Sequence, residues 1–261
     1  MPHHDSPNAP VRYEIKEGVG WITLNRPASM NALDSGVVFE LAQQVEAAAA
    51  DPNVIAVIVR GAGRAFCSGI DRTALAEGTI TEPFYRAWSR ALNGLEDMPK
   101  VSVAVLHGYS IGGGLQIALA CDLRVATDDA VIELGATRHG LIPDGAVLRI
   151  ARVIGMGRAK ALALLNERVT PEEARAIGLV NYLCRASELD GLLEMLVEKV
   201  RGASPTATAQ TKKLINASFH NDPRSVVDEL VASQNICMAS WETAEANRAW
   251  KEKREARFHR T

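Results

Sequence analysis

The sequence lacks a surplus of charge of one sign and any long apolar run. Its 29 Lys and Arg residues stand against 31 Asp and Glu, which gives a formal net charge of -2. Because these charges are scattered, they argue against a nucleic-acid groove or a polybasic membrane surface. No segment reaches the roughly 18 uninterrupted apolar residues of a membrane span. We therefore expect a small molecule as the ligand.

Cysteine content and the N-terminal segment both favour a cytosolic protein. The four cysteines, at positions 67, 121, 184 and 237, show neither metal-ligand spacing nor the density of a disulfide framework. We interpret them as reduced thiols and expect no metal centre. Residues 1–10 are polar and proline-rich, without the apolar stretch of a secretion signal. They are predicted to form a disordered tail.

The sequence does contain enough apolar residues for a large core, at 47% of 261 residues. Residues 11–27 predict a hairpin that turns at Gly18, and residues 34–50 predict a helix capped by Asp34. The pattern then alternates between strands and helices, with strands at 53–61, 100–108 and 122–134 and helices at 83–98 and 112–121. This alternation predicts an α/β fold with parallel strand pairing.

From about Pro143 onward the pattern is mainly helical. Helical spacing recurs at 145–153, 157–165, 171–177, 188–200, 205–219, 224–238 and 241–257. We predict an α/β core over 11–190 that continues into a helical region over 191–261. The last amphipathic helices carry more apolar surface than a solvated appendage needs, which predicts an oligomer contact.

Residues 107–123, HGYSIGGGLQIALACDL, place three consecutive glycines between a strand-like run and a helix-like run. The glycines lack the G-x-G-x-x-G spacing of a dinucleotide-binding turn, and no lysine follows for a phosphate loop. Gly108 to Gly112 does match G-x-S-x-G, so a serine hydrolase with Ser110 as its nucleophile stays open. Its base would be His139, His220 or His259. The alternative role for Ser110 is a loop residue that caps a helix.

A third interpretation treats the glycines as donors of bare backbone N–H groups. The first turn of a helix has unpaired N–H groups and a positive dipole end, which together stabilise a developing oxyanion. Residues 61–71, GAGRAFCSGID, offer a second donor, because Ser68 and Gly69 follow another buried strand. An ordinary strand-to-helix loop explains that second segment equally well.

Several motifs occur in a fixed order along the chain: LNRPASMNALD, AFCSGID, HGYSIGGGLQIALACDLRVA, HGLIPDGAVLRIARVIG, RVTPEEARAIGLVNYL and EKREARF. From about residue 11 to residue 258 the chain resembles the enoyl-CoA hydratase/isomerase (crotonase) family. The resemblance implies a spiral of ββα units with a C-terminal helical oligomerisation region, assembled as a trimer or a dimer of trimers. It also implies acyl-CoA thioester substrates, with no cofactor beyond the coenzyme A that the substrate carries. By motif position, the amides of Ser68 and Gly113 would form an oxyanion hole, and Ser110 would lose its role as nucleophile.

The chain departs from the hydratase pattern of this family, in which two glutamates hold and deprotonate a water molecule. Gln116 and Ala136 occupy those two positions, and Glu133 could replace the second glutamate only with a gap. Asp144, in GLIPDGA, matches the proton-shuttling aspartate of some isomerase members. Its alternative role is to cap a helix starting near Gly145.

The resemblance therefore implies double-bond isomerisation of an enoyl-CoA, with Asp144 as the proton shuttle. His139 is an alternative base, and Gln116 could orient water in a hydratase or an acyl-CoA hydrolase. A non-catalytic acyl-CoA-binding protein is the alternative from another class. Segment 72–92 is expected to line the acyl pocket. The residues expected to contact the substrate's coenzyme A, whose alternative role is a solvated surface, are Arg26, Gly69, Asp71, Arg72, Gly112, Lys253 and Phe258.

Overall fold

The computed structural model describes residues 8–219, 222 and 224–259. Its first two strands form the predicted hairpin. Strand β1 (Val11–Lys16) pairs antiparallel with β2 (Val19–Leu24). Gly18 makes the turn with a φ of 77°, in the left-handed region that glycine enters without steric cost. Of the predicted tail, Ala9 is buried and its carbonyl accepts a hydrogen bond from Asn25. Residues 1–7 lie outside the described residues.

The strands form two sheets. The remaining strands are β3 (Ala56–Gly61), β4 (Val101–Leu106), β5 (Tyr109–Ile111), β6 (Leu123–Thr127), β7 (Val131–Glu133), β8 (Arg168–Val169) and β9 (Tyr182–Cys184). The larger sheet has the order β1-β2-β3-β4-β6-β9, and all its pairs after the hairpin are parallel. The smaller sheet has the order β5-β7-β8. The predicted α/β fold with parallel pairing is confirmed.

Helices cover both faces of the larger sheet. The helices of the described residues are α1 (Ser35–Ala50), α2 (Arg72–Ala76), α3 (Glu82–Asp97), α4 (Gly113–Ala120), α5 (Ile150–Leu164), α6 (Pro171–Ala176), α7 (Leu189–Arg201), α8 (Pro205–Ala217), α9 (Val227–Met238) and α10 (Trp241–Glu252). The main core contains α1, α3 and α4, and a second cluster packs Leu193 and Leu196 of α7 against the strands. Burial on both faces explains the nearly continuous apolar sequence of the central strands. In the described part of the chain, no helix has the length and apolar content needed to cross a membrane.

The start of α1 agrees with the sequence prediction, whereas the start of α5 differs from it. Asp34 does cap α1, because its Oδ1 accepts from the Val37 amide at 2.9 Å. The helix predicted over 145–153 begins only at Ile150, and residues 144–149 form turns, so Asp144 does not cap it. The turns persist because the amides of Ala146 and Val147 both donate to the Pro143 carbonyl. The patterns at 145–153 and 157–165 meet within α5, where Gly155 has non-helical angles.

Candidate active site

A cavity of about 950 Å³ lies where the two glycine-containing loops meet α3. It is lined by residues from 29–33, 68–73, 84–88, 111–116 and 133–144. The segment predicted to line the acyl pocket supplies Phe84, Tyr85 and Trp88 to its wall. The two loops that we proposed as amide donors, remote in sequence, therefore border one cavity.

Backbone hydrogen bonds hold the two loops side by side. The Cys67 amide donates to the Tyr109 carbonyl at 2.9 Å, and the Ile111 amide donates back to the Cys67 carbonyl at 3.0 Å. Gly69 has a φ of 93°, and a Cβ atom at this position would lie 3.4 Å from the Gly113 amide nitrogen. The two segments are thus in direct contact beside the cavity.

The amide of Gly113 is available for a ligand. Gly113 is the first residue of α4, and among the described residues its N–H has no hydrogen-bond acceptor. This follows from helix geometry, because the first N–H groups of a helix have no carbonyl one turn earlier. Gly112 precedes it with a φ of 55° and donates its own amide to the Glu133 carbonyl. A free donor at the positive end of a helix dipole can stabilise negative charge in the cavity.

The amide of Ser68 differs from the prediction, because it already has an acceptor. It donates to the carbonyl of Met30 at 3.0 Å. Met30 and Asn31 both have left-handed backbone angles, with φ of 53° and 56°, and Met30 lines the cavity. A substrate oxygen can therefore use the Ser68 amide only by replacing the Met30 carbonyl.

Asp144 lies in the cavity wall, half-buried, in the turn before α5. Burial raises the pKa of its carboxyl, and hydrogen bonds from the Gly145 amide and the Trp88 indole partly offset that rise. Trp88 also packs against Gly113, where a Cβ atom would lie 3.6 Å from its ring. One side chain therefore contacts both the carboxylate and the residue with the free amide. Sequence reasoning did not single out Trp88, which it placed only within segment 72–92.

The other two carboxylates that line the cavity are held in ion pairs. Glu133 is buried and bonds to Arg138 at 2.9 Å and to Arg168 at 3.0 Å. Asp71 caps α2 through Oδ1, and its Oδ2 lies 3.3 Å from Arg26. Asp144 is the cavity-lining carboxylate for which the described residues form no salt bridge.

Gln116 and Ala136, which the resemblance places at the two positions of the hydratase glutamates, both line the cavity. The Gln116 side-chain oxygen accepts a hydrogen bond from the Gly145 amide at 2.7 Å. One acceptor position of that oxygen is therefore used within the protein. Ala136 offers no acid or base.

The residues expected to contact coenzyme A fall into two groups. Gly69, Asp71, Arg72 and Gly112 line the cavity, whereas Arg26, Lys253 and Phe258 are not among its lining residues. The Arg26 guanidinium instead donates to the Ala32 carbonyl and pairs with Asp34, so it ties the loop at 26–34 together.

His139, the alternative base, faces Arg72 at the edge of the cavity. The Arg72 Nη1 atom lies 3.0 Å from the imidazole ring nitrogens. The Arg72 side chain is therefore in direct contact with the ring of the alternative base.

The serine hydrolase hypothesis is wrong. Ser110 lies in β5, is fully buried and does not line the cavity, whereas a nucleophile elbow exposes its serine. Its hydroxyl has no hydrogen-bond partner among the described residues, so it neither caps a helix nor contacts a histidine. His220, one of the proposed bases, lies outside those residues.

The cysteines near the site are unreactive, and a metal cluster is not formed by the described side chains. Burial raises the pKa of the Cys67 and Cys121 thiols to about 12, which keeps them protonated at neutral pH. In the described part of the chain, no three His, Cys, Asp or Glu side chains are grouped as a metal site would require.

Known proteins are similar to this chain in sequence and in fold. The Enoyl-CoA hydratase/isomerase family model matches residues 14–261. The short-chain-enoyl-CoA hydratase of Clostridium acetobutylicum is 31% identical over 244 residues, covering 92% of this chain and 94% of the relative. The peroxisomal Delta(3,5)-Delta(2,4)-dienoyl-CoA isomerase of Arabidopsis thaliana is 29% identical over 264 residues, covering 95% of each.

A solved structure gives the same result at the level of the fold. An enoyl-CoA hydratase/isomerase from Marinobacter aquaeolei superposes with a TM-score of 0.88 at 30% identity, covering 95% of this chain and 98% of that one. The family match spans both glycine-containing loops and the Asp144 turn. From its sequence, its fold and the cavity between those loops, the chain belongs to the enoyl-CoA hydratase/isomerase family.

Proposed function

We propose that the protein moves a carbon–carbon double bond in an enoyl-CoA thioester, with Asp144 as the proton shuttle. The Asp144 carboxylate removes a proton from the carbon next to the thioester carbonyl of a 3-enoyl-CoA. The C–H electron pair moves into a dienolate whose charge lies on the thioester oxygen. The protonated carboxyl then returns the proton at C4, which leaves a 2-enoyl-CoA and an ionised Asp144. One carboxyl thus performs both steps, and no atoms are gained or lost.

The observation that carries the proposal is the state of the cavity's carboxylates. Glu133 and Asp71 are tied to arginines, whereas Asp144 has no salt bridge among the described residues. Its raised pKa favours the exchange of a proton near neutral pH more than an ordinary aspartate would.

The dienolate oxygen is assigned to the Gly113 amide. This amide is unpaired at the start of α4 and borders the same cavity as Asp144. Removing one such donor from an oxyanion hole raises a barrier by about 2.7–4 kcal/mol in other enzymes. The Ser68 amide is the second donor when the substrate oxygen replaces the Met30 carbonyl.

Hydration is the second candidate function, because one relative is named a short-chain-enoyl-CoA hydratase. Hydration needs a group that takes a proton from water. Gln116 cannot do so, and its oxygen already accepts from Gly145. Asp144 would then be the base for water, as it would be in an acyl-CoA hydrolase. In each case coenzyme A enters with the substrate, and the proposed chemistry needs no other cofactor.

The test is the variant Asp144→Asn, assayed with trans-3-hexenoyl-CoA and by NMR of the double-bond position in the product. We expect kcat to fall by about 10²- to 10⁴-fold, since an amide cannot exchange a proton, while binding of the thioester stays within a few-fold. The matched control is Glu133→Gln, which changes a neighbouring cavity carboxylate and should keep most of the turnover.

Full activity of Asp144→Asn would refute the shuttle, and loss of activity in Glu133→Gln alone would move the role to Glu133. A hydrated product from the wild-type protein would favour the hydratase. Binding of the thioester without turnover in any variant would identify a non-catalytic acyl-CoA-binding protein.

We also propose that the protein is a homo-oligomer, a trimer or a dimer of trimers. The support is the apolar surface of the C-terminal helices, where Leu230, Met238 and Trp250 are exposed in the isolated chain. Apolar surface of this extent is typical of protein contacts.

A further inference from the structure

We infer that Gln116 is a positioning residue that fixes Asp144 relative to the Gly113 amide. This inference rests on the proposed shuttle role of Asp144. It assigns to Gln116 a task other than holding water. The observation behind it is a single buried hydrogen bond that joins the helix with the free amide to the turn with the carboxylate.

Gln116 belongs to the same helix turn as the free amide. It lies three residues after Gly113 in α4, and its backbone amide donates to the Gly112 carbonyl at 3.1 Å, which closes that turn. Its side chain is only 6% exposed, so few side-chain conformations are open to it. The Oε1 atom of Gln116 is therefore held at a fixed place relative to the Gly113 amide.

The other end of the hydrogen bond is the residue that follows Asp144. The Gly145 amide donates to Gln116 Oε1 at 2.7 Å. This contact settles the orientation of the Gln116 side-chain amide, because only the amide oxygen can accept from an N–H group. A movement of the Gly145 amide would move the backbone of Asp144 with it.

The turn is held from its other side as well. Arg149 donates Nη1 to the Gly145 carbonyl at 2.9 Å, and its Nε donates to Glu96 of α3 at 2.7 Å. Both polar groups of the Gly145 backbone are therefore bound by side chains. Gly145 also packs so tightly that an added Cβ atom would overlap Leu92 and lie 2.7 Å from Gln116 Oε1.

Without Gln116 Oε1, no other described residue accepts from the Gly145 amide except the Asp144 carboxyl itself. The Asp144 carboxyl, which this N–H already contacts, would then be its sole described acceptor, so the group that has to move the proton would be held more firmly by it. A shift of about 1 Å in a reacting group can lower a rate by about 10²-fold. Gln116 thus acts on the reaction through Asp144 rather than through the substrate.

The experiment compares two changes at the same position, assayed with trans-3-hexenoyl-CoA over a range of pH. Gln116→Met keeps the length of the side chain and removes the acceptor. We expect its kcat to fall by about 10- to 100-fold with KM within about twofold, because the base is displaced while the cavity walls stay. Ile117→Val, a buried change on the same helix, should keep the wild-type kcat and controls for general loosening of α4.

Gln116→Glu keeps an acceptor for Gly145 and adds a charge. We expect near wild-type kcat at high pH. We also expect the acid limb of kcat/KM to move to higher pH, since a second carboxylate raises the pKa of Asp144. The other charged groups that face the turn, Arg149 and Glu96, are the same in all variants. The shift of the limb tests that the side chain at position 116 lies beside Asp144, whereas a higher kcat in Gln116→Glu than in Gln116→Met tests the role of the acceptor.

Each outcome decides the inference. Wild-type kcat in Gln116→Met, a raised KM with unchanged kcat, or an unshifted acid limb in Gln116→Glu would overturn it. If Gln116→Met fails to fold by circular dichroism, the kcat of Gln116→Glu at high pH decides, and a loss of about 10-fold or more there would overturn the inference. Asp144→Asn, assayed in parallel, separates the two ideas: its full activity would refute the shuttle, whatever Gln116 does.

Discussion

Burial of Asp144 suits its carboxyl to proton exchange. The same burial lowers the stability of the folded protein at neutral pH. Its pKa is raised chiefly because burial disfavours the charged carboxylate. A group with a raised pKa in the folded state contributes stability at pH values below its pKa in the unfolded chain. That contribution is lost as the pH rises through the folded-state value.

Asp144→Asn should therefore make the protein more stable than the wild type at neutral pH. The difference in unfolding free energy between the variant and the wild type should shrink as the pH falls toward the usual aspartate pKa of about 3.9, where both proteins carry a neutral group. Urea unfolding of both proteins at about pH 7 and about pH 4 measures it. A variant that is less stable at neutral pH would mean that the bonds from Trp88 and Gly145 outweigh the cost of burial.

Two other residues show what a local pattern cannot reveal. Asn31 is buried with a left-handed backbone, and its side-chain nitrogen donates to the carbonyls of Ala65 and Phe66, more than thirty residues away. The Met30 carbonyl likewise reaches the Ser68 amide. Such contacts depend on how distant loops pack, so the sequence predicted the donor at Ser68 but not its acceptor.

At the scale of elements, the start of α4 has a separate reason for each glycine. Gly112 has a left-handed φ, a side chain on Gly113 would overlap Leu33, and one on Gly114 would overlap the Cys67 carbonyl. Only the requirement at Gly112 is local, whereas those at Gly113 and Gly114 come from segments remote in sequence, so the sequence predicted the junction but not what each glycine contacts. The helix pattern at 145–153 misled because the side chains of Gln116 in α4 and of Arg149, just before α5, hold Gly145 in a turn.

Gly114→Ala should push apart the two loops that border the cavity. Because the added Cβ meets a backbone carbonyl, relief requires movement of the loop at Cys67, and we expect a loss of about 1–3 kcal/mol in unfolding free energy. The affinity for a 2-enoyl-CoA, measured by calorimetry, should also fall. The measurement of stability is chemical unfolding.

Gly157→Ala is the matched control, since it lies in α5 with no atom within 4 Å of an added Cβ. It should stabilise the protein by about 0.4–1 kcal/mol, because alanine reduces the freedom of the unfolded chain. Equal effects of the two substitutions would show that the close approach at Gly114 has no special importance.

At the scale of the whole molecule, the chain exposes more apolar surface at its C-terminal end than a monomer needs. Val227, Leu230, Val231 and Met238 lie on one side of α9 by helical spacing, and all are exposed. On α10, Trp250 is 79% exposed. The spacing of apolar residues in the sequence predicted this surface. An amphipathic helix has the same apolar spacing whether or not its apolar side has a partner inside the fold.

Leu230→Asp should dissociate the proposed oligomer and leave the chain folded. In the isolated chain the Leu230 side chain is exposed, so the substitution should change monomer stability by only about 0.5 kcal/mol. In an oligomer it would bury an unpaired charge against apolar residues, which costs several kcal/mol at each contact. Light scattering after size exclusion should give three or six chain masses for the wild type and a lower mass for the variant, with unchanged circular dichroism.

Ala232→Asp places the same charge on α9 away from that row and should leave the mass unchanged. A wild-type protein that elutes at one chain mass would refute the oligomer, and α9 would then need another partner for its apolar side.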